Sequence, residues 1–547
     1  MKEEDIAKKV EERAVALLPP EPEPVLDAAF LKKCLDNSEW GSATLYASKY
    51  KGKYLFNTSV EKGVAWMEWS GIIWQPDVYR RSLRSVELCA VEYDQQAIDL
   101  AEQIKELDQL LASDPKDKDV RNHLEALVNI RKEFIGRAKT LRTANGMKKV
   151  IELAPLTDES MACREDELNR RAELLPCKNC VINLTTGAFE KGDPADRMSR
   201  AVDVEYDLNV DQSEWVNFVK EICGSGEMYE FLHRSFGYAS TGLSNEQYIW
   251  VFIGRGRNGK GVLLGCIGEV LGPFYHQISP AMILEQKIDP PPSATSEHKF
   301  ALKDKRLVVG SETKRGKAIS EDQLKTLTGD DKINCRPNFS HEVNFNPTHT
   351  LMLQVNHMPR GMTSDLAMTE RLLEIDLPYS YVANIKEAER KYPALKGKFR
   401  QRDTTLKKRL LENPSAILAW LVEGARKFLD KDNPGLCIPS QVLENVEARA
   451  REQDYMALFI GDCLINSDIP GTRLQMKHVH LALVWWWVNN RGSDERKVPI
   501  IQTVGENMRE RDYEVGTKGG KTWVYGVAFH HEVAEEIMQF IQSRGKS

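Results

Sequence analysis

The sequence predicts a multidomain α/β protein, and three observations carry that expectation. At 547 residues the chain exceeds what one hydrophobic core normally supports, so three or more domains are expected. The stretch "YIWVFIGRGRNGKGVLLGCIGEVLG", residues 248–272, runs an apolar strand into a glycine-rich turn and out into a helical pattern. Two more apolar strands follow, Leu307–Val309 and 349–356, each leading to a polar residue at its end.

Composition narrows the function classes. A net charge of −6 and a pI near 6.1 give no global basic signature, so nucleic-acid contacts must be local or built by several subunits. Ten cysteines fall without a disulfide-like framework, and the first residues carry no signal-peptide core, which points to a reduced, cytoplasmic protein. The longest apolar run, around "HLALVWWWV", is too short for a bilayer, so no membrane partner is expected.

Taken in order, residues 1–18 read as a charged helix, "PPEPEPV" as a tether, and order begins near Leu26. Residues 40–77 read as compact and β-rich. Trp66, Trp69 and Trp74 are of a type that stacks bases but more commonly fills cores. From Val91 to Met147 the charged helical pattern breaks at "SDPKDKD", giving two antiparallel helices. Residues 176–206 return to short strands. Cys177 and Cys180 have metal-ligand spacing there, but a closed zinc site needs a second pair, and Cys163 and Cys223 do not provide one, so they read as structural thiols.

The turn Gly254-Arg255-Gly256-Arg257-Asn258-Gly259-Lys260-Gly261 fits GxxxxGK. Glycines let successive backbone N–H groups close round phosphate oxygens, the start of the helix Lys260–Leu271 adds positive partial charge, and the lysine reaches the outer phosphates. These residues with Val262 are the candidate nucleotide site, and a nucleoside triphosphate such as ATP with Mg²⁺ is the cofactor it suits. Gly261 departs from the pattern. A Ser or Thr there would give Mg²⁺ a hydroxyl, so nucleotide binding is better supported than hydrolysis. Glu312, just past the second strand, is the candidate metal-orienting carboxylate. Asn356, at the tip of the third, is placed to bond a γ-phosphate or attacking water. Between those strands Lys332, Arg336 and His341 punctuate a hairpin-like alternation, and beyond the third Arg371 sits on an expected helix leading into a strand. After Pro434-Gly435 come helices over 441–466 and "MKHVHLALVWWWVNNRG", then helix, strand, glycine-rich turn and strand. That order suggests a winged helix with Lys518 and Lys521 on its wing.

The phosphate loop, the strand ending in "SET", "TGDDKINCRPNFSHEVNFNP", "NHMPR" and "ERLLEIDLP" together resemble the superfamily 3 helicases, in the branch of poxvirus and bacteriophage or plasmid primase-helicases. The resemblance covers roughly residues 35–530, and with only about 35 residues ahead of it priming is not expected of this chain. It implies an AAA+ motor forming a ring, with hexamers the expected assembly, around single-stranded or forked DNA, and a possible separate primase or initiator partner. It also implies boundaries: a flexible segment at 1–30, a mixed α/β collar at 31–240, the motor at 241–400, a helical connector at 401–440 and a winged-helix-like domain at 441–547. By motif, Lys260 binds phosphates, Glu312 is the Walker B carboxylate, Asn356 is sensor 1 and Arg371 is an arginine finger. The hairpin then grips DNA, with Lys332 and Arg336 favoured over the weakly basic His341 tip. Ser311 where relatives carry an acid, and Gly261, thin the Mg²⁺ contacts. The alternative is a DNA-loading ring or initiator with little or no turnover.

Overall fold

The computed structural model describes residues 26–60, 63–157, 161–254, 256–284, 296–311, 319–329, 331–336, 342–356, 366–467, 469–491, 495 and 498–544. It is a mixed α/β, multidomain protein, and the chain divides into two compact units, residues 1–359 with 375–439, and residues 360–374 with 440–547.

In the first unit, the helices Ala28–Asp36 and Ser38–Tyr50 precede three antiparallel strands, β1 (Tyr54–Asn57), β2 (Trp66–Trp69) and β3 (Trp74–Pro76). The β-rich expectation for 40–77 is therefore corrected over its first part. Ser38–Tyr50 buries Gly41, Ser42, Ala43, Leu45, Tyr46, Ala47 and Tyr50, so burial nearly all round leaves no apolar stripe to betray its period. The expected antiparallel pair is present as Val86–Ser113 and Lys118–Leu141, whose break holds Asp117 as N-cap to Asp119 and Val120. Trp74 is buried and packs against Trp69 with the rings 5.4 Å apart and tilted by 58°, while Trp66 packs on the helical core, so this tryptophan cluster fills space. A short strand, β4 (Ala162–Cys163), joins β1 in parallel. A small sheet follows, β5 (Leu174–Pro176), β6 (Val181–Asn183) and β7 (Phe189–Glu190). Cys177 and Cys180 lie in its first turn as buried free thiols, and no group of three or more His, Cys, Asp or Glu among the described residues is placed to hold a metal.

The main sheet is built from β8 (Ile249–Ile253), β9 (Tyr275–Ile278), β10 (Leu307–Ser311), β13 (Thr350–Val355) and β14 (Leu372–Asp376), in the order β14-β8-β13-β10-β9. A hairpin, β11 (Ile333–Cys335) and β12 (Val343–Phe345), leaves the chain between β10 and β13. The strands β8, β13, β10 and β9 pair in parallel; β8, β13 and β10 read as almost uninterrupted apolar runs, as strands covered on both faces must, whereas the edge strand β9 buries only Ile278. The helix Gly226–Thr241 crosses Pro414–Phe428 closely. A Cβ on Gly237 would lie 2.1 Å from the Ala425 nitrogen, and one on Gly424 2.2 Å from the His233 carbonyl, so only glycines allow this approach. His233 stacks flat on Trp420 at 4.6 Å beside that crossing. The buried Arg306, just before β10, donates to the carbonyls of Ser240 and Leu174, both at 2.6 Å, and so ties the small sheet to the main one. A parallel pair, β15 (Ser380–Val382) and β16 (Phe399–Gln401), completes this unit.

The second unit orders its elements as helices Ser440–Gln453 and Tyr455–Cys463, β17 (Leu464–Asn466), β18 (Arg473–Gln475), helices Met476–Arg491 and Ile501–Glu510, β19 (Val515–Lys518), β20 (Lys521–Tyr525), β21 (Val527–Phe529) and helix Ala534–Arg544. Met456, Phe459, Val479, Leu483, Trp486, Val504, Met508 and Ile537 form its core. No described helix is long and apolar enough to cross a membrane.

Candidate functional site

Parallel pairing fixes which residues share an edge. Ile253 aligns with Val355 and Gln354 with Ser311, so the loop after β8, Ser311 and Asn356 all emerge at the carboxyl edge of one sheet. Ligands of open α/β sheets are bound at that edge. The strand Ile249–Ile253 and the helix Lys260–Leu271 agree with the sequence reading to within a residue.

The loop itself is strained in the way a phosphate cradle requires. Gly256 and Gly259 have φ of +87° and +91°, and Arg257 also takes the left-handed region at +56°. A Cβ on Gly254 would lie 2.1 Å from the Asn258 amide nitrogen, and one on Gly259 2.7 Å from Ile222 of the helix Ser213–Cys223. Both positions therefore favour glycine for close approach, and Gly259 for its positive φ as well. The backbone N–H of Tyr381 donates to the Arg257 carbonyl at 2.7 Å, and the Tyr381 hydroxyl donates to Glu221 at 3.0 Å, which clamps the loop from β15. Burial and the Glu221 carboxylate push the Tyr381 phenol up, so it remains a donor.

Lys260 is buried, and its Nζ donates to the Gly254 carbonyl at 2.7 Å and the Val355 carbonyl at 3.1 Å. These two oxygens hold the ammonium between the loop and the end of β13. Asn258 is also buried, and its Oδ1 has no partner among the described residues, an orphan that a bound ligand would satisfy. A cationic head, a glycine-built concavity and the start of a helix fit a nucleotide's phosphates. The donor set for a divalent metal is thinner. Gly261 offers no side-chain oxygen, and the side chain nearest to where its Cβ would stand is the Gln354 amide, at 3.7 Å. Strand alternation puts Gln354 on the same face of β13 as Asn356. Gln354 is the site residue that the sequence reading missed, and its signal was this spacing of two from Asn356.

Arg255, Glu312 and His341 lie outside the described residues. Asn356 directly follows β13 and is half-buried. Lys332 and Arg336 bracket β11 and are exposed. Arg336 is pinned through its backbone by Ser296, whose Oγ accepts its N–H at 2.9 Å and whose own N–H donates back at 2.9 Å. The hairpin expected from the alternation is thus present, paired Ile333 to Phe345 and Cys335 to Val343. Arg371 corrects an expectation. It stands in the turn after the short helix Leu366–Thr369, its N–H donating to the Met368 carbonyl, because the helix ends before it and β14 begins at Leu372. Lys518 and Lys521 are exposed and face each other across the β19–β20 turn, as expected.

Residues 43–224 match the family described as "D5 N terminal like", and residues 252–371 match a "Family of unknown function (DUF5906)". A protein named "Putative helicase L207/L206" of Acanthamoeba polyphaga mimivirus is 23% identical over 473 residues, 84% of this chain and 47% of its own length. "Putative helicase 121R" of Invertebrate iridescent virus 3 is 22% identical over 502 residues, 85% of this chain and 52% of its own. The chain spans about half the length of these curated relatives. The solved apo structure of the NrS-1 C-terminal region is similar over 60% of this chain and 77% of its own, at 13% identity and a TM-score of 0.34. The chain thus carries a D5 N-terminal-like region ahead of its glycine-rich loop and is similar along most of its length to viral proteins named as putative helicases.

Proposed function

We propose that this chain is an ATP-dependent DNA helicase that serves the replication of a virus or mobile element and works as a ring of identical subunits. The observation that carries the reading is Lys260, a buried ammonium held by two carbonyls at the mouth of a glycine loop, on the sheet edge where Asn356 and Ser311 also emerge. Bound Mg²⁺ would neutralise charge across the outer phosphates. Lys260 would draw the phosphates in, Glu312 would orient the attacking water, and Asn356 would hydrogen-bond a phosphoryl oxygen or that water. Lys332 and Arg336 on the hairpin suit contact with DNA phosphates, and the second unit's helix-helix-hairpin order suits a winged helix. A separate primase or replication initiator would be a partner for such a motor. ATP turnover with Mg²⁺ should rise on adding single-stranded DNA and should vanish in Glu312→Gln, which keeps its shape but loses the carboxylate. Equal background rates in the two proteins would refute the motor.

One observation favours a second reading, a nucleotide-binding ring that turns over slowly, namely the missing hydroxyl at Gly261. Because a side chain there would meet only the tip of Gln354 at ordinary contact distance, Gly261→Thr is sterically admissible. It costs no backbone strain, since Gly261 lies in the helix and not among the positive-φ glycines. The substitution should strengthen Mg²⁺-dependent binding of a fluorescent ATP analogue by roughly three- to tenfold, as one added metal ligand would. The same affinity ratio with and without Mg²⁺ in both proteins would show that position 261 does not face the metal.

A further inference from the structure

The second unit contains a groove that the nucleotide reading does not use, with Met476, Ile501 and Gly505 in its walls between the polar residues. It has a volume of about 400 Å³, and its polar lining is Gln475 at the end of β18, Lys477 in the first turn of the helix Met476–Arg491, Gln502 and Arg509 on the helix Ile501–Glu510, and Lys521 and Thr522 of β20. Three elements far apart in sequence thus each contribute one cation. Lys477, Arg509 and Lys521 are exposed, and none pairs with a carboxylate among the described residues. His478, beside the groove, is held below its ordinary range first by burial and then by Lys477 and Lys521, so the two lysines act on one neighbourhood. Glu506, also on this helix, accepts a long bond from Gln502 at 3.4 Å and is not among the lining residues.

The hairpin that forms one wall is stiff. Its two-residue turn, Gly519-Gly520, has both φ positive, as a tight primed turn requires. The Trp523 indole donates to the Lys518 carbonyl at 3.3 Å, Arg473 covers the Trp523 ring at 4.5 Å, and β20 pairs with β18 as well as β19. Lys521 is therefore presented on a fixed scaffold.

We propose that this groove binds the backbone of double-stranded DNA, independently of nucleotide. Three unpaired cations on a fixed concave frame match a row of phosphates, while the Gln475, Gln502 and Thr522 side chains supply donors and acceptors of the kind that contact sugar oxygens and base edges. Gln502 lies in the first turn of its helix, with Arg509 two turns further along the same side. The volume is that of about a dozen waters, too large for a single phosphate. Single-strand sites are built on aromatic platforms, and among the described residues no aromatic lines this groove. The duplex is therefore favoured over the single strand, and over an acidic peptide by the regular spacing of its charges.

The test uses the full chain without nucleotide, a labelled duplex and a labelled single strand, titrated over a range of salt concentrations. The triple variant Lys477→Gln, Arg509→Gln, Lys521→Gln should bind the duplex roughly ten- to hundredfold more weakly, with a log–log salt slope shallower by about 2.7. Its single-strand affinity should be unchanged, whereas Lys332→Gln with Arg336→Gln should show the reverse pattern, so this site and the proposed channel fail separately. Should the triple variant unfold, Lys521→Gln alone, on the exposed turn, should flatten the slope by about 0.9. Unchanged duplex affinity and slope overturn the proposal. So does loss of binding to inorganic phosphate or to a polyglutamate peptide with the duplex unaffected, since either would make the groove a site for small anions or acidic protein.

Discussion

Lys260→Ala should weaken nucleotide binding by roughly 10- to 10²-fold while leaving the protein folded. The Lys260 ammonium already sits between the Gly254 and Val355 carbonyls at 2.7 and 3.1 Å, so its position is set before any ligand arrives. A phosphate would gain a charge-assisted bond from a group that has little freedom left to lose. Alanine removes both the charge and the donor, and one such bond at about 1.5–3 kcal/mol amounts to a loss of roughly 10- to 10²-fold in affinity. Arginine should not rescue it, because the planar fork is bulkier than the ammonium that this narrow gap admits. Binding of a fluorescent ATP analogue, read beside the melting temperature, checks the expectation. An unchanged Kd in a folded variant would move the nucleotide site away from this loop.

How much of this was legible in the sequence depended on whether a signal was local. Glycine spacing and apolar runs located β8 and the helix Lys260–Leu271 almost to the residue, because the turn's positive dihedrals demand glycine and a doubly covered strand tolerates few polar residues. The hairpin β11–β12 was readable from alternation, and the long pair Val86–Ser113 and Lys118–Leu141 from charge periodicity broken at a proline-aspartate turn. Ser38–Tyr50 was not readable, since a helix buried on nearly every side shows no stripe, and its aromatic residues mimic a strand. Arg371 was assigned to a helix that stops at Thr369. Gln354 was hidden by being one more residue in a buried strand, and only its spacing from Asn356 marks it. Lys477 and Arg509 meet Lys521 through tertiary packing alone, so no window of sequence could have joined them.

Arg371→Ala should reduce ATP turnover about 10³-fold or more while changing nucleotide affinity by less than about threefold. The proposed role is to stabilise charge that spreads over the phosphoryl oxygens only in the transition state, so the ground-state complex should hardly register its loss. Arginine suits this because it stays charged and presents a rigid donor fork. Its place in a turn immediately before β14, half-exposed, is one from which a side chain can serve a neighbouring subunit. If it acts in the neighbour's site, activity should depend on assembly, and turnover per subunit should fall on dilution together with light scattering. Complementation gives the sharper result. A Lys260→Ala subunit keeps a working Arg371, and an Arg371→Ala subunit keeps a working phosphate loop, so mixing the two inactive proteins should restore measurable turnover at the interfaces that pair them. Absence of restoration in assemblies shown to be mixed, or full wild-type activity in a dilute monomer, would remove Arg371 from the shared site.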